Sequence, residues 1–474
     1  MHAPPHPASG TKRSWALLIM LCAAEFMVAL DLTVANVALP SIGRDLHVAA
    51  GDLTWVLTAY ILATGGLMLV AGRLADLVGR RRVLLAGIAL FTGASLASGL
   101  APSFAVLIAA RAAQGVGAAL LLPTALSILT TAYDGERRTT ALAAWGAIAS
   151  SGAAVGLLAG GLLTDALSWE WIFLVNVPLG AAAAALVPRL LARDPEPARL
   201  PLARLDLPGA LALIAGLVAV LLAISEADER GWGAPLVLAG LVVGVGLLGA
   251  FALFERSGAQ PLVPPSVWRL RSLVAGTGVM VGATGIVAGS FFLNSLYLQD
   301  ALGYTALESG LAFLPIALAV LAAAHVASHL VTRLGSRTVL AVGLATMAGG
   351  ALLLATIPDH AAYVADLLPG YLLIGLGAGL GFVGISVGAM ADVVDHGAGA
   401  ASGLLTTGHE LGAAIGVAVL AAIATAGGDA AGLADGFRTG YVVAAGIAAA
   451  LTAVALLVVP SARPAPGAAH AALH

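Results

Sequence analysis

Residues 15–39 read WALLIMLCAAEFMVALDLTVANVAL, twenty-five positions carrying only two charges, Glu25 and Asp31. A helix crossing about 30 Å of hydrocarbon needs about 20 apolar residues, so this stretch is long enough to span a bilayer. Thirteen further stretches share the pattern: 53–72, 83–101, 104–129, 141–163, 172–188, 207–225, 235–254, 273–298, 309–330, 338–357, 367–391, 402–424 and 439–459. The fourteen together hold 306 of the 474 residues and only four charges, Glu25, Asp31, Arg111 and Glu410. The other 43 charges crowd into the remaining 168 residues. Such segregation predicts an all-α polytopic membrane protein of fourteen transmembrane helices, with the lipid bilayer as its surroundings.

The rest of the composition agrees. Apolar residues make up 60% of the chain and charged residues 10%, against about 25% charged in ordinary soluble domains. A net charge of −3 with no basic patch outside short loops argues against nucleic acid as a partner. The single cysteine, Cys22, lies in the first apolar stretch and leaves no intrachain disulfide. Lys12 and Arg13 precede that stretch as in a signal peptide, but it is too long and ends without a small-residue cleavage site, so it reads as a retained helix.

Placing the N-terminus inside puts eighteen Lys and Arg residues on the inner side. Only Arg44, Arg230 and Arg438 fall outside. This asymmetry predicts cytoplasmic N- and C-termini. The seven tryptophans lie at or near segment ends, where the headgroup region suits their rings.

Residues 72–89 (GRLADLVGRRRVLLAGIA) align without gaps on 328–345 (SHLVTRLGSRTVLAVGLA), with seven identities. Both follow the second helix of a six-helix block, which suggests an internal duplication. The expected organisation is a cytoplasmic tail (1–14), a six-helix bundle (15–188), a linker (189–206), two additional helices (207–254), a linker (255–272), a second six-helix bundle (273–459) and a cytoplasmic tail (460–474).

Three segments resemble the major facilitator superfamily. Gly72-Arg73-Leu-Ala-Asp76-Leu-Val-Gly79-Arg80-Arg81-Arg82 is similar to its signature loop between helices 2 and 3. Arg111-Ala-Ala-Gln114-Gly115-Val-Gly117 is similar to its helix 4 motif, and Gly152-xxx-Gly156-xxx-Gly160-Gly161 to the helix 5 motif of antiporters. Leu157 stands where that last motif usually has proline. The 14-helix drug:proton antiporter branch is suggested by Leu30-Asp31-Leu-Thr33-Val-Ala-Asn36-Val-Ala-Leu39-Pro40. Trp169-Glu-Trp171-Ile-Phe-Leu-Val-Asn176-Val-Pro178-Leu-Gly180, Tyr297-Leu-Gln299-Asp-Ala-Leu-Gly303 and Ser402-Gly403-Leu-Leu fit it as well. The resemblance implies the major facilitator fold, with two six-helix bundles and two extra central helices. It also implies proton-driven export of drugs or antibiotics across a bacterial cytoplasmic membrane, in a monomer that needs no cofactor beyond the proton gradient.

The four intramembrane charges are the candidate coupling residues, since each costs about 2.5–3.5 kcal/mol at that depth even on lenient scales. Asp31 lies about 12 Å and Arg111 about 10 Å below the same face, counted at 1.5 Å per residue. The pair reads either as a stabilising ion pair or as a proton or substrate switch. Glu25 lies about 9 Å deeper on the first helix with no cation at its depth. Burial then favours its neutral form, as a proton carrier or as a permanently protonated group. Glu410, beside His409, is a fourth candidate.

The loop Gly72, Arg73, Asp76, Gly79, Arg80 and Arg81 reads as positive-inside anchoring or as an inner gate that Asp76 holds by pairing with arginines or a helix N-terminus. The glycine stripe Gly152, Gly156, Gly160, with Gly161, reads as plain close packing or as a sliding seal. Asn36, Gln114, Asn294, Tyr297 and Gln299 are candidates for lining a cavity that takes a small-molecule substrate. With few fixed charges, amphipathic and cationic organic molecules suit it best.

No metal site is expected. His325 and His329 share a helix face but have no cysteine or carboxylate near them, and His409-Glu410 lacks a metalloprotease's second histidine. Gly375-Leu-Gly377-Ala-Gly379-Leu-Gly381 imitates a nucleotide loop inside an apolar span and has no preceding strand. An enzyme is not expected, because no nucleophile–base pair appears. A proton-coupled carrier of a specific metabolite is the alternative of the same fold. A non-transporting receptor leaves the buried charges without a purpose.

Overall fold

The computed structural model describes residues 11–133, 135–193, 207–231, 233–257, 269–358, 361–393, 398–425 and 430–462. Most of the N- and C-terminal tails and of the linkers expected at 189–206 and 255–272 lie outside these residues. So do Arg199, Arg204, Arg463, Trp232 and Trp268.

Every apolar stretch has become a helix. In chain order these are α1 (Thr11–Leu46), α2 (Thr54–Val78), α3 (Arg80–Gly99), α4 (Phe104–Ala132), α5 (Gly135–Ala166) and α6 (Trp171–Leu190). There follow α7 (Leu207–Arg230), α8 (Pro235–Ser257), α9 (Arg271–Ala301), α10 (Ala306–Leu334), α11 (Ser336–Ala355) and α12 (Tyr363–Ala389). The last two are α13 (Ala398–Thr425) and α14 (Ala430–Val458). No strand occurs among the described residues. In a bilayer the helix is favoured because it satisfies every backbone polar group within one segment.

Two helices carry local interruptions that matter later. α6 is broken at Val175, between Trp171–Leu174 and Asn176–Leu190. Pro178 has no N–H for the Leu174 carbonyl, so the ladder lapses there and the second segment restarts at Asn176. α9 ends in a π-helical turn, Tyr297–Ala301, which carries Gln299.

The buried apolar side chains form two large cores. One draws mainly on α1–α6 and includes Leu21, Leu39, Tyr60, Phe91, Leu107 and Phe173. The other draws mainly on α9–α14 and includes Phe313, Leu344, Met347, Tyr371 and Tyr441. The halves meet along two seams, α2 against α13 and α5 against α10. The second helix of each half therefore packs on the fifth helix of the other, as an approximate two-fold axis requires.

Side-chain detail matches the repeat. Gly79 and Gly335, aligned in sequence, both have positive φ, 112° and 84°, and both join the second helix of a half to the third. Each N–H reaches back four residues, to Ala75 and Val331 respectively. Arg81 and Arg337 are aligned too. Arg81 donates to the Leu191 carbonyl at the end of α6, and Arg337 donates to the Val459 carbonyl at the end of α14. Capping the last carbonyls of a sixth helix is thus done twice by the same repeat position.

The extra pair packs together, and α7 also lies against α2 and α13, with Ile214 seated on Gly66. α8 exposes Leu236, Leu238, Val242, Val243, Val245 and Phe254. A face so apolar fits lipid and not water.

Candidate functional site

Asp31 of α1 and Arg111 of α4 meet inside the first core, neither exposing any surface. Arg111 Nη1 donates to Asp31 Oδ2 at 2.5 Å and to Gln114 Oε1 at 2.7 Å. Its Nε donates to the Val56 carbonyl at 2.8 Å. Asp31 Oδ1 accepts from Gln114 Nε2 at 2.6 Å and from Asn176 Nδ2 at 2.9 Å. Gln114 also donates to Ser95 at 2.9 Å. The Tyr60 ring stacks on the guanidinium at 4.4 Å, with the Phe173 ring at 5.4 Å. Two opposite charges, each costly alone, thus offset one another through short charge-assisted bonds and a cation–π contact.

Gln114 is therefore not a cargo-facing side chain, as expected from sequence, but part of this network. Its position three residues after Arg111 on α4 places both on one helix face. Asn176 was not singled out, though it lies in one of the quoted motifs. It lies at the start of the second segment of α6 and donates to Asp31 from there.

Glu25 lies elsewhere. It lines a cavity of about 690 Å³ together with Gly72, Arg73 and Asp76 of the signature loop region, Trp145 of α5, and Ser402 and Thr406 of α13. One carboxylate oxygen, Oε2, is buried and has no hydrogen-bond partner among the described residues. Glu410, on α13, is within coulombic reach of Glu25. Its backbone end packs on Gly65 of α2, where an added Cβ would meet Glu410 Cβ at 2.6 Å. His409 Nδ1 is 3.6 Å from the Glu410 carboxylate. The charged candidates thus divide into two groups, Asp31 with Arg111 in a sealed network, and Glu25 with Glu410 by the cavity.

The cavity lies at the arginine-rich end of the molecule. There Asp76 pairs with Arg80 at 3.3 Å, and Arg80 also donates to Thr131 of α4 at 2.9 Å. The opposite end is closed by contacts between the halves. Ser295 donates to the Asn36 carbonyl at 2.7 Å, and Gln299 donates to the Val37 carbonyl at 2.8 Å. Arg44 pairs with Asp300 at 3.4 Å. Asp165, at the end of α5, accepts from the Ala306 and Leu307 N–H groups at 3.2 and 2.9 Å, capping α10 of the other half. Along the same seam the backbones touch. A Cβ on Gly161 would meet the Ala306 carbonyl at 2.6 Å, and one on Gly310 would meet that of Leu157 at 2.5 Å.

Asn36, Asn294, Tyr297 and Gln299 also lie away from the cavity. Asn294 accepts from Tyr441 at 2.8 Å, and Tyr297 stacks on Phe437 at 4.3 Å, both inside the second core. Asn36 and Gln299 belong to the closed end. In this conformation the cavity wall comes instead from Trp145, the hydroxyls of Ser127, Thr130, Ser402 and Thr406, and apolar residues of α2 and α4. Trp145, expected as an interface anchor, lines this cavity; among the described tryptophans Trp15 and Trp171 are the exposed ones.

The stripe of Gly152, Gly156 and Gly160 packs on α1, against Ala29, Leu30 and Val34, within one half. Only the neighbouring Gly161 faces the other half. The glycines of α12 serve close packing as well, with Gly375 and Gly379 on α10 and Gly377 on α11. No cluster of three metal-ligating side chains occurs among the described residues; the His325 and His329 rings lie 5.2 Å apart on one face of α10, tilted by 59°.

Comparison with known proteins follows this geometry. The family profile of the Major Facilitator Superfamily matches residues 21–417 and 277–472. The puromycin resistance protein pur8 of Streptomyces alboniger is 45% identical over 85% of this chain and 80% of its own. The cephamycin export protein CmcT of Amycolatopsis lactamdurans is 41% identical over 86% and 84%. The lincomycin resistance protein of Streptomyces lincolnensis is 35% identical over 86% and 84%. A bacterial homologue of the human lysosomal transporter Spinster, solved inward-facing and unoccupied, superposes with a TM-score of 0.66 at 16% identity. That likeness covers 95% of this chain and 98% of the other.

Proposed function

Because this chain belongs to the major facilitator superfamily, we propose that it is a proton-driven antiporter that exports drugs or antibiotics across the bacterial cytoplasmic membrane. The observation that carries the reading is the asymmetry of the two ends. A cavity of about 690 Å³ reaches the arginine-rich end, while the other end is closed by bonds between the halves. The arginine-rich end is the cytoplasmic one by the positive-inside rule, which puts both termini in the cytoplasm. The molecule is then held open inward, ready to accept cargo.

The moving bodies are the halves 15–188 and 273–459, rocking about the α2–α13 and α5–α10 seams. Residues 207–254 ride on the outside of the first seam. Outward opening breaks the Asp165 cap and the Ser295 and Gln299 bonds, and closes the inner cavity around the signature loop.

Protons enter from outside and load Asp31 or Glu25. Deprotonation inside is coupled to cargo leaving outward. Asp31 supplies a switch because its charge is matched by Arg111; protonation weakens that pairing and frees the guanidinium for other partners. Glu25 supplies a carboxyl group on the cavity wall, with Glu410 within coulombic reach of it, and Trp145 supplies a flat apolar surface. This combination favours amphipathic small molecules, cationic ones above all. The relatives named for puromycin, cephamycin and lincomycin support an antibiotic cargo. The protein works as a monomer and needs no cofactor, since the proton gradient is the energy source.

The test uses inverted membrane vesicles containing the full chain. With an acid interior they accumulate a fluorescent cationic dye, and addition of cargo makes the interior more alkaline. If no compound of a broad antibiotic and dye panel moves with the proton gradient, the exporter reading is wrong.

A further inference from the structure

Asp31 accepts from three side chains, Arg111 on Oδ2 and Gln114 and Asn176 on Oδ1, so a proton added to Oδ1 meets two N–H donors already aimed at that atom. A carboxylate is acceptor-only, so it fixes the Asn176 amide with Nδ2 toward Oδ1, at 2.9 Å. The other end of that amide, Asn176 Oδ1, is buried and has no hydrogen-bond partner among the described residues. An orphaned buried carbonyl costs about 1–3 kcal/mol. Asparagine's two ends occupy nearly the same volume, and rotation by 180° about its last side-chain torsion exchanges them.

We infer that Asn176 is the positioning residue for the transported proton, its amide reversing so that both the ionised and the protonated Asp31 keep a hydrogen bond. The inference rests on the proposed proton coupling at Asp31. One proton from the outer medium adds to Oδ1 of the carboxylate, and no other bond changes. The new O–H then donates to Asn176 Oδ1, which the rotation has brought to face it. On deprotonation the proton leaves and Nδ2 returns. Gln114 cannot take this part, because its Oε1 already accepts from Arg111 at 2.7 Å and its Nε2 also serves Ser95 at 2.9 Å. Asn176 is the one amide of this network whose oxygen accepts no hydrogen bond among the described residues.

The charged and titratable groups facing Asp31 are Arg111 of α4 and Tyr60 of α2. Glu25 lies two turns away on α1 itself, and Glu410 of α13 is within coulombic reach of Tyr60. None of these is exchanged by the rotation, so its signature belongs to Asp31 and Asn176 alone.

Infrared difference spectra between high and low pH, on the full-length protein in lipid nanodiscs, test the inference. The carboxylic acid band that disappears in Asp31→Asn is assigned to Asp31. Val and Thr have similar shapes, but only the hydroxyl of Thr can both donate and accept. Asn176→Val is expected to move the Asp31 band to higher wavenumber, as its O–H loses an acceptor. Asn176→Thr is expected to leave it near the wild-type position. Proton-driven exchange falls roughly tenfold in the Val variant and within about threefold of wild type in the Thr variant.

The chain has only three asparagines, Asn36, Asn176 and Asn294. Side-chain-labelled asparagine in otherwise wild-type protein therefore gives a second readout that needs no folded Val variant: one amide band shifts with the same pH midpoint as the Asp31 acid. An Asp31 band unchanged in Asn176→Val, or no labelled amide band following it, overturns the inference alone. If Asp31→Asn removes no band at all, the proton never rests on Asp31, and the coupling reading falls together with the inference.

Discussion

Arg111 and Asp31 are eighty residues apart in the chain and bond at 2.5 Å with no exposed surface on either side chain. Each is fully desolvated, and each is the other's only opposite charge in the network. Removing one member of such a pair leaves an uncompensated buried charge, which costs about 3–5 kcal/mol. Arg111→Ala is therefore expected to lower the thermal stability of the detergent-solubilised protein strongly, and Asp31→Asn/Arg111→Gln much less than Arg111→Ala alone. Equal losses in the single and double variants would show that the pair is not the source of the stability.

Arg111→Lys is expected to fold but not to replace arginine. The guanidinium bonds Asp31, Gln114 and Val56 from two nitrogens while lying against Tyr60, and one ammonium cannot match that plane. Vesicle alkalinisation on adding cargo should fall well below wild type. Full retention would reduce Arg111 to a point charge.

The end opposite the cavity, the outer one in the proposed orientation, is held by a cap that crosses between the halves. Asp165 accepts from the first two N–H groups of α10, an arrangement worth about 0.5–2 kcal/mol at helix N-termini. Asp165→Ala is expected to favour the outward-open state by roughly three- to tenfold, read as labelling of Asn36→Cys by a membrane-impermeant thiol reagent. Leu307→Pro deletes one of the donors while keeping the helix, because proline is tolerated in a first turn. The two substitutions share the Leu307–Asp165 bond, so their effects should not add fully. Full additivity would show that Asp165 acts through something other than the cap.

Backbone contact at Gly310 leaves no room for a methyl group, as its added Cβ would lie 2.5 Å from the Leu157 carbonyl. Gly310→Ala is expected to prevent closure of the α5–α10 seam and raise the same outer labelling. Gly152→Ala meets side-chain atoms of α1 at 3.0 Å inside one half, and should change stability by about 1–3 kcal/mol without changing that labelling.

Glu25→Gln removes a titratable carboxyl that lines the cavity and lies outside the Asp31 network. Export of cationic dyes should fall more than export of uncharged compounds, measured side by side in the same vesicles. An equal loss for both classes would assign Glu25 to proton movement and not to cargo selection.

Much of the fold was legible in the sequence, because a bilayer enforces a one-dimensional rule. About twenty apolar residues cross it and charges stay outside, so each of the fourteen stretches falls on a helix among the described residues. The repeat was legible for a similar reason. Gly79 and Gly335 occupy a backbone conformation that few other residues adopt, and Arg81 and Arg337 cap equivalent carbonyls, so both copies of the repeat need the same residues there. The depth match between Asp31 and Arg111 was likewise readable, since rise per residue is fixed.

Tertiary structure alone decided which polar side chains face the cavity. Gln114 and Asn294 looked cargo-facing in a list of polar residues within helices, yet each is spent on a buried partner. Trp145 looked like a headgroup anchor and lines the cavity instead. Asn176 gained its place because the packing of α6 on α1 brings that side chain to Asp31. Depth in the membrane is set by counting along one helix. The direction a side chain faces is set by rotation and packing between helices distant in the chain, which a single sequence does not encode at any one position.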